Sequence, residues 1–510
     1  MEFPLGNYIQ SIWSVHFWVS LAIVLAIRVV VGIWWSRRSL PPGPIPVPLI
    51  GNLFSFLGDL GLHEALLHLS RTHGEIMTIY LGNRPHIVLA RFDTAKQVLS
   101  SAAFNSRPES ALSRAFFGSA QNILTGSYGL LWQLNKKSAT KCLRSVIEAD
   151  TLNERLVGAV DLVAKAMLEL GTVNPQVHAK QMMYNSISLL AFGKTYKPND
   201  PQFLQLLQLH DQAVRESRTL LFFDYMPFTD YWPLKAFPSV RRALKLFHDA
   251  KTYVEWQIYE HQRTSDQGQP RDFCDALLRE QELLEREDEL QLTDQNMVLI
   301  LMDLLSSGVD PMAATLAWFI LFMVTHPDLQ QQCYKAIFEA RLAIGDRPPS
   351  PSDRFELPIV EACLMETLRL RPVLPNGLPH TATASTQIGQ YTIPEGTAVV
   401  GNVYAMHTDP QCWEEPLTFD PLLHFMDDDG QLQTPTSFAP FGFGRRSCLG
   451  EMLAKRDLFL TAARLLQTVK FEPIEGVSYK FDEDPRHYLI LKPNQFTVRV
   501  VSRGTVERDQ

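Results

Sequence analysis

The stretch from Thr293 to Thr325 constrains the fold more than any other part of the chain. Thr293 is placed to cap a helix, and His326-Pro327 stops it. At 1.5 Å per residue such a helix spans on the order of 50 Å, the width of a whole domain. Leu299–Leu305 and Ala313–Val324 are apolar nearly all round, so the sequence predicts a helix buried through the core. A buried helix of that length commonly lines whatever pocket the core contains. Most of the segment from Thr94 to Arg371 carries helical periodicity, and short β-like runs fall near Ile76–Tyr80, His86–Leu89, Gln387–Thr392 and Phe496–Val501. The expected fold class is mainly α with small β-sheets. Polar breaks at Ser265–Pro270, Gly345–Asp353 and Asp427–Thr436 are loop-sized, so one continuous domain is expected.

The N-terminus differs in kind. From Ile12 to Trp35 the chain is almost wholly apolar, interrupted by His16 and Arg28, and Arg37 and Arg38 come at once after it. A run of about twenty apolar residues can cross a bilayer core. The basic flank predicts that the domain beyond it stays cytoplasmic, and Arg28 lies near enough to that end to snorkel. Pro41-Pro42-Gly43-Pro44-Ile45-Pro46-Val47-Pro48 cannot be helix and reads as a stiff extended spacer. The expected division is an anchor over 1–39, a proline-rich linker over 40–52 and a catalytic domain over 53–510. A net charge of -8 argues against a nucleic-acid partner. Six cysteines without C-x-x-C spacing read as reduced thiols rather than a disulfide framework or a zinc site.

The chemistry concentrates in Phe441-Gly442-Phe443-Gly444-Arg445-Arg446-Ser447-Cys448-Leu449-Gly450. The glycines allow tight turns and close approach to a flat cofactor. Cys448 sits beside two arginines and just before the helical pattern Glu451–Leu466, and both favour thiolate over thiol. A thiolate is a strong axial donor to haem iron.

In the spacing F-x-x-G-x-R-x-C-x-G the chain resembles the cytochrome P450 family, with Phe441, Gly444, Arg446, Cys448 and Gly450 at the fixed positions. Glu366-Thr367-Leu368-Arg369 is similar to the family's E-x-x-R pair, and His424 stands where an arginine usually completes that triad, one residue displaced. The resemblance implies a cytochrome P450 fold preceded by a single transmembrane helix, and haem with Cys448 as the axial ligand. Its propionates would be held by Trp132, Lys136, His380 and Arg446. It further implies NADPH used indirectly through NADPH-cytochrome P450 reductase, and monooxygenation of a lipophilic small molecule. The general style is that of microsomal members, hence a single-pass protein of the endoplasmic reticulum membrane in contact with lipid, its catalytic domain cytoplasmic. Lys136, Lys137, Lys141, Arg144, Lys455 and Arg456 would offer the reductase a basic face. Segments near Ser110–Ile123, Leu220–Trp232 and Val373–Leu378 would line the pocket.

The long helix departs from the family pattern. Gly308 and Asp310 match the oxygen-binding segment, Gly308 opening room above the iron and Asp310 relaying protons, but Pro311 stands where a threonine normally helps deliver them. Proline removes an N–H and crowds the carbonyl of Ser307, so a kink is expected. An isomerase or dehydratase acting on an already oxidised substrate, such as a hydroperoxide, is the alternative activity; a non-catalytic haem-binding protein is another.

Deleting Met1–Ser39 should move the protein from pelleted membranes towards the soluble fraction while it still takes up haem. Loss of haem on deletion would make this segment part of the fold.

Overall fold

In the computed structural model the described residues are 37–503, apart from 57–59, 110, 118–121, 148–149, 226–233, 265–267, 287–290, 345–346 and 486–488, together with scattered positions between 17 and 32. The expected anchor therefore lies largely outside the described residues, as do parts of the expected pocket-lining segments. Phe17, Trp18, Ile23, Val24, Ile27 and Val31 are helical and exposed.

The central helix forms as Asp294–Thr325 and runs through Pro311 without interruption. Thr293 Oγ1 accepts from Asn296 N while the Asn296 side chain accepts from Thr293 N, so the first turn is capped from both sides. Among the described residues it is the one helix long and apolar enough to cross a bilayer, yet 83% of its most apolar window is buried. It is the core rather than a span. Trp318, Phe319 and Phe322 are fully buried, each side chain contributing roughly 1.5–3 kcal/mol relative to exposure. Helix Pro175–Phe192, buried on nearly every face, packs along it.

Among the described residues three small sheets flank the helices. Strands β1 (Ile76–Leu81), β2 (Arg84–Leu89), β4 (His380–Thr381) and β7 (Ala398–Gly401) form one sheet in the order β1-β2-β7-β4. Its β2–β7 pair is parallel, and His380 opposite Val399 is thereby fixed in place. β3 (Thr172–Val173), β8 (Val469–Glu472) and β9 (Val498–Ser502) form a second sheet in the order β3-β9-β8. The run expected as one strand over Gln387–Thr392 is a hairpin of β5 (Thr386–Ile388) and β6 (Tyr391–Ile393), turning at Gly389 with φ 57°.

The proline segment is no free spacer. Thr78 N donates to Pro42 O at 2.9 Å and Thr78 Oγ1 to Pro41 O at 2.8 Å, laying the segment along β1. A side chain at Gly43 would strike Thr78 O at 1.9 Å, so the approach requires glycine.

Glu366 and Arg369, on helix Pro358–Leu370, are completely buried. Arg369 Nε and Nη2 donate to the two carboxylate oxygens of Glu366 at 2.6 and 2.7 Å. Nη1 reaches His407 O and Pro416 O, and Nη2 also reaches Thr418 O. His424 fills the third place: Nδ1 is 3.0 Å from Glu366 Oε1 and Nε2 is 2.6 Å from Glu414 O. Both ring nitrogens face acceptors, so both carry hydrogen and the imidazole is charged. Burial pushes its pKa down, but the Glu366 and Glu414 contacts outweigh that and raise it above 6.5.

By linkage, stability contributed by His424 is fully present below its unfolded pKa near 6.5 and is lost as pH rises through the raised folded value. Equilibrium unfolding across that interval should show the decline, and His424→Arg should abolish it. Glu366→Gln should cost about 3–5 kcal/mol at any pH, because it leaves a buried guanidinium unpaired.

Candidate active site

The Cys448 loop is shaped by its glycines. Gly442 has φ 76° and Gly444 φ 62°, and a Cβ on Gly444 would meet Ser100 Cα at 2.7 Å. Phe441 contributes its carbonyl, which accepts from Cys448 N at 2.9 Å. Gly450 is the N-cap of helix Glu451–Thr468. Cys448 is exposed, although surrounding protein is dense enough that burial raises its thiol pKa. Its sulfur therefore faces an interior hollow rather than bulk water. The Gly450 backbone N–H and Lys136 pull the pKa down without overcoming burial. The two neighbouring arginines do not act on the sulfur as the sequence led one to expect. Arg445 donates to Tyr128 Oη at 2.9 Å, and Arg446 turns to the carbonyls of Asn105, Ile123 and Gly126. A bound metal deprotonates a coordinating thiol outright, which is what this thiol requires.

Around the hollow the positive groups lack negative ones. Arg446 and Arg107 are buried, and Lys136 is partly so. Among the described residues no carboxylate pairs with any of the three. Arg107 donates to Leu124 O from Nε, and to Leu378 O and Pro379 O from Nη1. Lys136 donates to Arg445 O at 2.5 Å and Ser447 O at 3.2 Å. Burial and mutual repulsion push Arg107 down to about 9, and burial pushes Arg446 down to about 10. Cations held together on carbonyls alone call for an anionic guest. The two carboxylates of haem, beside a cysteine with an accessible sulfur, meet that demand, so the residues present fit the group.

His380 and Trp132 join this cluster in a different manner from the one expected. His380 Nδ1 donates to Phe104 O at 2.7 Å, and burial, reinforced by Arg107, lowers the ring to about 3. It is neutral here, and Nε2 becomes a donor only if an anion brings a proton with it. Trp132 Nε1 is spent on Ile123 O at 2.9 Å; its ring instead supports the Arg446 guanidinium at 3.9 Å. Arg107 escaped the sequence reading, because one arginine before a proline, in Asn105-Ser106-Arg107-Pro108, carries no periodic signal.

Two residues of the central helix act away from the places expected of them. A Cβ on Gly308 would meet Ile187 Cδ1 at 2.6 Å, so the glycine admits close packing of helix Pro175–Phe192 rather than opening room above the iron. Asp310 is buried amid Lys492 Nζ at 3.1 Å, His210 Nε2 at 3.4 Å and Lys180 Nζ at 3.7 Å. Burial alone would raise its pKa, but those cations hold it well below the usual carboxylate range. These contacts anchor the helix to three neighbouring segments. The accessible middle of the helix is Ser306 and Ser307.

Asp303, also unforeseen, accepts from Ile123 N at 2.7 Å, Leu124 N at 3.1 Å and Asn122 Nδ2 at 3.0 Å. Burial outweighs these bonds and raises it to about 6. The 122–126 segment is thus tied to the central helix by Asp303 and to the Cys448 loop by Arg446, with the hollow between.

A sequence model of the family described as Cytochrome P450 matches residues 41–500. Cytochrome P450 2U1 of Mus musculus is 30% identical, over 94% of this chain and 95% of its own. Steroid 17-alpha-hydroxylase/17,20 lyase of Squalus acanthias is 27% identical, over 93% and 95%. Cytochrome P450 1A1 of Platichthys flesus is 29% identical, over 91% of each. The family match takes in the segment laid on β1, the Glu366–Arg369 pair and the Cys448 loop in a single register, and the chain belongs to the cytochrome P450 family of haem-thiolate monooxygenases.

Proposed function

We propose that this chain inserts one oxygen atom into a lipophilic small molecule, with Cys448 as the iron ligand and NADPH-cytochrome P450 reductase as electron source. The observation that carries this reading is the accessible Cys448 sulfur beside cations that have no carboxylate partner. The hydroxylase named among the relatives acts on a steroid, which agrees with a lipophilic substrate. When bound, haem with a thiolate ligand activates dioxygen for cleavage of its O–O bond. The protein's part is to hold and orient. The Cys448 N–H bond to Phe441 O and the Gly442 and Gly444 turns fix the sulfur. Arg107, Lys136 and Arg446 would hold the propionates, and His380 would join them on taking up a proton. Buried Glu366, Arg369 and His424 keep the loop beneath them in place.

For the reductase, Lys137, Lys141 and Arg144 line an open groove on helix Leu130–Ile147, alongside Lys136 and Arg445. Lys136 Nζ bonds the Cys448 loop directly, so this groove is a basic surface adjoining that loop. Arg456, expected on the same face, is buried and bonded to Asn153, and takes no part. We place the chain in the endoplasmic reticulum membrane by residues 1–39, with the domain cytoplasmic. Ile45, Leu49 and Phe54, all more than half exposed beside the anchor junction, give a lipid-facing surface. Pro311 in place of the alcohol favours one second reading, rearrangement or dehydration of a hydroperoxide.

Cys448→Ser should abolish the red-shifted absorbance of the reduced carbon-monoxide complex, and a variant that keeps it would overturn the assignment. Product formation from NADPH and dioxygen with the reductase tests the monooxygenase; product from a hydroperoxide alone supports the second reading instead. Reversing Lys137 and Arg144 to glutamate should raise the apparent reductase KM roughly three- to tenfold, most at low salt. Lys141 is left intact in that test because it pairs with buried Glu280 at 2.5 Å.

A further inference from the structure

Asp303, Ser307 and Pro311 recur every four residues on the central helix and so lie on one face. Asp303 shows which way that face looks. Its carboxylate binds Ile123 and Leu124, and Ile123 O receives Arg446 Nη1 and Trp132 Nε1 from the Cys448 side. Ser307 is one turn further along. It is exposed, while Val309 and Asp310 beside it are buried. The other sides of the helix are filled there, by Ile187 against Gly308 and by the cations around Asp310. An accessible hydroxyl thus stands on the face turned towards the Cys448 loop, one turn before the proline.

We propose that Ser307 supplies the hydroxyl that hydrogen-bonds the ligand held by the cofactor on the side opposite Cys448, the task for which Pro311 has no polar side-chain atom. The proposal rests on Cys448 being the iron ligand. Ser307 Oγ gives its hydrogen to Asp303 O at 2.6 Å, which turns its lone pairs outward to accept from water or from a protonated ligand. Rotation about χ1 frees that hydrogen for donation. Asp303 O is not stranded by the rotation, since Ser306 Oγ lies 3.3 Å away and the helical N–H of Ser307 still reaches it. Oγ can then pass its hydrogen to the ligand and take another from water, so the serine ends as it began and one proton has moved in from solvent. Pro311 supplies the second half of the device. It has no N–H for the carbonyl of Ser307, which is thereby open to hold the water that returns the proton.

The test uses the full chain loaded with haem. The C–O stretching band of the reduced carbon-monoxide complex responds to hydrogen-bond donors near the ligand and needs no turnover. Ser307→Ala should raise its frequency, whereas Ser307→Thr and the control Ser306→Ala should leave it in place. With reductase and a substrate, Ser307→Ala should increase hydrogen peroxide formed per NADPH by roughly fivefold, about what one hydrogen bond is worth. Adding Pro311→Thr to Ser307→Ala should lower it again, by restoring an alcohol one turn later. An unmoved band in Ser307→Ala on a normal thiolate spectrum, or an equal shift in Ser306→Ala, overturns the proposal alone. A wild-type protein without the thiolate spectrum overturns the reading of Cys448 as well. Should Ser307→Ala take up no haem, the near-isosteric pair Ser307→Thr and Ser307→Val decides, and identical bands in the two overturn the proposal.

Discussion

The buried ion pair of Glu366 and Arg369 is the interaction on which the rest of the site depends. Two groups of opposite charge, both removed from water, gain little net stability from each other alone. They persist because each also satisfies backbone that has no other partner: Arg369 collects the carbonyls of His407, Pro416 and Thr418, and Glu366 accepts from Asp420 N. The pair thus pins an irregular stretch of chain that lacks sheet or helix bonds of its own. The link continues towards the cysteine. His407 Nδ1 donates to Arg369 O at 3.1 Å and its Nε2 accepts from Ala439 N at 3.0 Å. That arrangement demands a neutral ring, and burial beside Arg369 lowers His407 to about 3. Ala439 is two residues from Phe441, whose carbonyl holds Cys448. A break at Glu366 would travel along this path to the sulfur.

Charge is arranged oppositely at the two ends of that path. Below, three ionised side chains and several carbonyls close on one another, and nothing further is called for. At the hollow, Arg107, Lys136 and Arg446 repel one another and rest on carbonyl dipoles and the Trp132 ring, so among the described residues no anion pairs with them until an anionic group enters. The protein alone is therefore strained electrostatically at a place where a dianionic cofactor fits. His380 extends the logic: burial and the same cations keep it neutral, and an anion between them would make it a donor.

Much of this was legible in the sequence, and the parts that were not share a cause. The Cys448 loop, the Glu366–Arg369 pair and the long apolar helix are encoded in contiguous residues, where spacing alone fixes which side chains are neighbours. The hairpin within Gln387–Thr392 was read as one strand because alternation persists across a tight turn, and only the positive φ of Gly389 divides it. Gly308, Asp310 and Trp132 were found as residues, but what they touch was not. Their surroundings come from Ile187, Lys492 and Ile123, each distant in sequence, and no local pattern shows which face of a helix meets them. Arg107 and Asp303 were missed for the same reason, since their partners are distant in sequence and, Asn122 Nδ2 apart, are backbone atoms. The proline segment shows the converse. That it is not helix was read from its prolines and holds over 41–46, but that does not reveal that Thr78 binds it to the body.

The central helix draws these features together because its sides do different work. One side is locked: Gly308 lets Ile187 in, and Asp310 is gripped by Lys180, His210 and Lys492. Among the described residues the side bearing Asp303 and Ser307 is tied to the 122–124 segment at Asp303, and Ser307 is exposed. A proline in such a helix is tolerable where the lost hydrogen bond belongs to a carbonyl that water can reach, and costly where that carbonyl is packed in apolar surroundings. The carbonyl deprived by Pro311 is that of Ser307, the exposed residue. The proline therefore deprives an exposed residue rather than one packed in the core, which lowers what it costs the fold in stability.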